Sequence, residues 1–187
     1  FLSHFAKQFP KVQKSDSVRK QLAELYTARE LYSSAVSVYL DQFKTASNRS
    51  LRLDAGVKAL AIEREHGSMT NALNIANMVK NSFPTSGLAN VEALYTNVLV
   101  AKDNGELNKI RNIEKTASRI TGTDPISQER LGEIRFILAE MEGKGFLKPV
   151  NNIELTDPHQ TLKKMYSSFV KTDRIYRYVC ELEQSSF

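Results

Sequence analysis

Residues 61–73 read "AIEREHGSMTNAL" (Ala61–Leu73), with two glutamates and a histidine almost side by side. Two readings compete. Glu63 and His66 form a Glu-x-x-His pair, the spacing that supplies metal ligands in di-iron helix bundles. The same residues also read as the end of one helix, a glycine corner at Gly67 and the small-residue start of the next helix. The metal reading fails a count. A di-iron bundle needs two such pairs and two further inward glutamates, and neither His4 nor His159 has a glutamate three residues before it. No His-Glu-x-x-His motif occurs, and a zinc hydrolase would need a third ligand and a base. The corner reading puts Glu63 and Glu65 on the exposed side of the first helix. His66 falls at its C-terminus, where an imidazole can bond terminal carbonyls and benefit from the dipole.

The corner recurs along the chain. Gly67 and Gly105 are 38 residues apart, and each is placed to end a first helix in the left-handed conformation open to glycine. Ala35 and Ala72, 37 apart, occupy matching places early in second helices. "NSFP" (Phe83, Pro84) closes one second helix, and "KQFP" (Phe9, Pro10) has the form of the same closure in a preceding unit. Four segments open with small polar residues suited to helix N-termini: "SDSVRKQLAELY", "SNRSLRLDAGVKAL", "TSGLANVEALYTN" and "TDPISQERLGEIRF". In each, apolar residues follow at three- and four-residue spacing. In the first, Leu22, Leu25 and Tyr26 share a face, and Ala35, Tyr39 and Phe43 continue at spacing four beyond a break near Leu31–Ser34. The pattern predicts an all-α array of helical hairpins with a period of 37 to 38 residues.

Small residues at the helix contact, aromatics on the second helix, a turn glycine and a closing proline resemble the tetratricopeptide repeat family. Leu22, Ala23, Tyr26, Tyr32, Ala35 and Tyr39 carry the likeness in one unit, and Gly67, Ala72 and Pro84 in the next. The third keeps Leu94, Gly105 and Ala117 but has Ile110 where a small residue is expected. The family's basic repeat is about 34 residues, so these units are longer by three or four. The resemblance implies an α-solenoid of antiparallel helical hairpins, a TPR-like superhelix, over residues 1–145. Its units would be 1–12 (partial), 16–49, 53–86, 91–124 and 126–145 (partial). From residue 146 to 187 the pattern gives way to an irregular stretch with two prolines. A long amphipathic helix then places Leu162, Met165, Tyr166, Phe169, Val170, Ile175, Val179 and Leu182 on one stripe. This C-terminal helical extension after the repeats is also distantly similar to repeat-rich envelope proteins of gliding and predatory bacteria. That likeness implies a bacterial periplasmic or envelope setting, with the cytoplasm as the alternative.

Composition limits the chemistry. The 187 residues carry 26 basic and 21 acidic side chains, a net charge of +5, and the excess is spread along the chain as a mildly basic surface. Basic groups occur at Lys7, Lys11, Lys14, Arg19 and Lys20 and again from Lys163 to Arg177, but without the interleaved stacking aromatics of a nucleic-acid site. No apolar run approaches the roughly 18 residues of a membrane span. The single cysteine, Cys180, excludes an internal disulfide and sits in the apolar setting of an inert thiol. No Gly-x-Ser-x-Gly elbow or Walker spacing is present. The expectation is a protein that is not an enzyme and uses no cofactor or metal. "FLSHFAKQFP" reads as the end of a helix, which suggests a piece of a longer protein.

Carried over by register, the family's groove positions are Lys20, Glu24 and Thr27 in the first unit, Val57, Ala61 and Arg64 in the second, and Tyr95, Leu99 and Lys102 in the third. They would form an apolar strip edged by charge, suited to an amphipathic helix or an extended peptide. The lysine/asparagine pattern that grips a C-terminal carboxylate is missing. The expected function is a protein–protein interaction scaffold within a larger protein or multiprotein complex, with another protein as partner. One rival is a structural spacer whose groove is filled by its own C-terminal helix. The rival from another class is an enzyme with an unrecognised site.

Overall fold

A computed structural model describes residues 13–120 and 124–144. The expectations for residues 1–12, Cys180 and the 146–187 extension lie outside them. The described residues form seven helices and no strand: α1 (Gln13–Ala28), α2 (Tyr32–Thr45), α3 (Arg49–His66), α4 (Met69–Ser82), α5 (Gly87–Asp103), α6 (Leu107–Ala117) and α7 (Pro125–Lys144). The chain is all-α. The second helices α2, α4 and α6 begin at residues 32, 69 and 107, spacings of 37 and 38. The first helices α3, α5 and α7 begin at 49, 87 and 125, spacings of 38. The period read from the glycines is therefore the period of the elements.

Capping residues set the starts. Asn48 accepts the Ser50 N–H at 2.7 Å, Ser68 accepts that of Asn71 at 3.2 Å, and Ser86 accepts that of Ala89 at 3.3 Å. Asp124 caps α7 through the Ser127 N–H at 2.8 Å, and Pro125 stands first in that helix, where its missing donor costs nothing.

Two of the three corners between first and second helices share one geometry, and the third differs. At Gly105 φ is +71°, its N–H bonds the Lys102 carbonyl and that of Glu106 bonds Ala101, which is the Schellman pattern. The same pair of bonds closes α1: Glu30 N–H to Thr27 and Leu31 N–H to Tyr26, with Glu30 at φ +58°. Glu30 is thus the repeat-equivalent of both glycines. Gly67 corrects the sequence expectation, because its φ of −112° is not left-handed. Glycine eases crowding there. A Cβ would lie 2.4 Å from the Glu63 carboxyl carbon and 2.9 Å from the Glu63 carbonyl oxygen.

Two compact units divide the chain, Phe1–Thr96 and Asn97–Phe187. In the first, α1 packs on α2, α2 on α3 and α3 on α4. Its core joins Ala23, Val36, Tyr39, Phe43, Ala55, Ala59, Leu60, Ala72, Ile75, Val79 and Phe83 with Ala89 and Ala93. Gly56 permits the closest approach in this core. A Cβ on it would meet the Phe43 ring at 2.7 Å and Val79 at 2.8 Å, one neighbour from the helix before α3 and one from the helix after. Two polar links tie α1 to α2: Arg19 donates to the exposed Asp41 at 2.9 Å, and the buried Gln42 donates to the Asp16 carbonyl at 3.1 Å. In the second unit α6 packs on α7, and the ion pairs Arg111–Glu142 (2.8 Å) and Glu114–Arg135 (3.6 Å) join them. Residue numbers rise along α6 as they fall along α7, so these two helices run antiparallel.

Candidate functional site

The positions assigned to a groove lie on first helices, where α-helical geometry puts residues three and four apart on one face. Lys20 and Glu24 are exposed on α1 and 4.0 Å apart, a solvated pair of little energetic weight. Thr27, one turn on, is half-buried and donates to the Ala23 carbonyl at 2.9 Å. On α3, Ala61 is half-buried, but Val57 is buried.

Arg64 also turns inward. Its side chain retains 5% exposure and pairs with Glu92 of α5, whose side chain retains 1%. The guanidinium lies 4.9 Å from the Tyr95 ring centre and 3.4 Å from the Thr96 hydroxyl. That hydroxyl donates to the Glu92 carbonyl at 2.8 Å. The pair clips α3 to α5 inside the first unit, and Tyr95 serves as its half-buried lid. Leu99 and Lys102 belong to the second unit, where Lys102 bonds Glu140 at 2.7 Å. The structure therefore brings Arg64 and Tyr95 together and leaves Lys20 and Glu24 open to solvent. Val57 and Arg64 go to the packing.

Glu92 and Thr96 were not among the groove positions read from the sequence. A signal for Glu92 existed, because it is the only acidic residue between Glu65 and Asp103 and stands in an apolar helix. A lone carboxylate in such a setting needs a buried partner.

At the corner, Glu63 and His66 are committed to different neighbours. The Ser68 N–H donates to the Glu63 carboxylate at 3.1 Å, which folds that side chain over Gly67, so it is half-buried rather than exposed. His66 stacks on Tyr32 with ring centres 3.6 Å apart and planes 7° from parallel, and its Nε2 lies 3.6 Å from Glu65. Among the described residues no group of three or more histidine, cysteine, aspartate or glutamate side chains could hold a metal ion. No described helix is long and apolar enough to cross a membrane. No protein-family model matches the chain, and neither the curated proteins nor the solved structures include a match to it.

Proposed function

We propose that the chain is a segment of a tetratricopeptide-like solenoid acting as a protein-interaction scaffold, with the open face of its first helices holding a peptide or partner helix. The observation that carries this reading is the recurrence of burial at the repeat period. Ala35, Ala72 and Ile110 are all fully buried at spacings of 37 and 38, and Gln42, Val79 and Ala117 follow the same rule. On the first helices Ala55, Ala93 and Leu131 are buried at spacings of 38. Such periodic burial is what stacked hairpins require, since each repeat covers its face with the next. The contact of α3 with both α2 and α4 supports the same stacking. Repeat arrays of this kind use their extended surfaces for binding, and in the first unit Lys20, Glu24, Thr27, Ala61 and Tyr95 offer a mixed, partly apolar face.

The inward turn of Val57 and Arg64 favours the second reading, a structural spacer, because those side chains are spent on packing. A photo-crosslinking residue at position 24, on the open face of α1, separates the two when compared with one at Asn77, exposed on α4. A scaffold in its own cells crosslinks a partner from position 24 and not from position 77. Equal yields from both positions, or none, favour the spacer.

A further inference from the structure

One end of the first unit gathers arginines that, among the described residues, have no carboxylate to neutralise them. There the end of α2, the start of α3 and the end of α4 come together through Phe43 and Phe83, whose rings meet edge to face at 6.1 Å. The Arg49 guanidinium stands over Phe83 at 5.5 Å, and that of Arg52 lies 5.9 Å from both rings. Arg52 is further fixed by donating its Nε–H to the Phe43 carbonyl at 2.9 Å. Lys44 and Lys80 stand in the last turns of α2 and α4 beside these phenylalanines. Residues 42–53 and 66–91 contain no aspartate or glutamate. The flanking acids are engaged elsewhere: Asp41 with Arg19, Asp54 with Lys58 at 3.1 Å, and Glu92 with Arg64. Among the described residues, neither Arg49 nor Arg52 has a carboxylate partner.

Helix stability does not ask for this arrangement. Arginines in the first turn of α3 oppose its macrodipole, which favours acids there. Two guanidiniums at i,i+3, held against rings and with donors to spare, instead suit forked recognition of carboxylates. We propose that this end of the first unit is a docking surface for an acidic peptide segment. A nucleic acid fits less well, because Phe43 and Phe83 are buried and their faces are taken by arginine, leaving no ring for a base to stack on. A lipid surface fits less well because the rings are not offered for insertion. The proposal does not rest on the first-helix groove, and each can fail while the other stands.

The test is fluorescence anisotropy of the intact chain with a labelled peptide of six glutamates. Parallel arms use a single-stranded oligonucleotide of equal charge and vesicles containing 30% phosphatidylserine. Peptide binding is expected to weaken as salt rises and to fall about tenfold or more in Arg49→Gln/Arg52→Gln, with Lys115→Gln/Arg119→Gln removing equal charge elsewhere at little cost. Arg49→Gln alone, at an exposed position, keeps the test valid if the double variant unfolds; it should still weaken binding several-fold. Equal losses in the two double variants, absent peptide binding, or tighter binding to the oligonucleotide or the vesicles would each overturn the proposal.

Discussion

Glu30 is the residue least suited to its place. A left-handed conformation costs a side-chain-bearing residue about 1–2 kcal/mol, and Glu30 holds φ +58° where its repeat-equivalents are glycine. Glu30→Gly relieves that strain and gives back part of the gain through the greater freedom of unfolded glycine. A net stabilisation of about 0.5–1 kcal/mol is expected in urea unfolding, and a loss of stability would sink the strain argument. The sequence announced this corner poorly, because nothing in a glutamate signals a left-handed turn, whereas Gly105 did. Gly67 signalled the right corner for the wrong reason, since close approach of Glu63 rather than φ disfavours a side chain. Tyr39 offers a second test. Burial, with help from Glu24 and Asp54, holds its hydroxyl above the ordinary tyrosine value of 10.0. The fold therefore favours the neutral phenol, so its contribution is complete below that value and is lost as pH rises through and beyond it. Between pH 9 and 11 the Tyr39→Phe protein should lose stability less steeply than the parent. Parallel curves would show that Tyr39 does not couple folding to pH.

Helix boundaries were legible because polar caps, glycine corners and the Phe83–Pro84 stop punctuate the chain at a constant interval. The faces of the second helices were legible too: Ala35, Tyr39 and Phe43 all enter the core as their spacing required. The faces of the first helices were harder to read. A first helix meets neighbours on more than one side, as Gly56 does between Phe43 and Val79, so one apolar stripe does not tell which polar residues turn inward. Arg64 is the clearest case, since an arginine in "AIEREH" looks solvated until Glu92 is seen opposite. Its pairing with Glu92 makes α3 and α5 interdependent. Glu92→Leu alone strands a buried guanidinium and should cost about 3–5 kcal/mol. Combining it with Arg64→Met removes both charges and should recover most of that loss. A double-mutant cycle in urea reads the coupling directly, and simple additivity of the two changes would mean that the pair does not join the helices.

At the scale of the whole molecule, the proposed array would make each hairpin depend on its neighbour. In a stacked array no hairpin buries its own face completely, so the stability of a unit is set at the boundary it shares with its neighbour. The first unit makes that dependence concrete. Ala89 and Ala93, both on α5, complete the core built by α2, α3 and α4, and Glu92 between them neutralises Arg64. A chain ending at Ser86 keeps two complete helix pairs but loses all three residues, while one ending at Asn104 retains them. The array reading expects both fragments to be helical by circular dichroism and the shorter one to be weaker by about 2 kcal/mol or more, because the apolar surface that Ala89 and Ala93 cover is returned to water. Introducing Arg64→Met into the shorter fragment should not restore the difference, because without α5 the Arg64 guanidinium is open to water and no buried charge is relieved. Equal stability of the two fragments, with or without that substitution, would mean that the first two helix pairs are self-sufficient. The periodic burial along the sequence would then reflect similar hairpins set side by side rather than a stack held together by its neighbours.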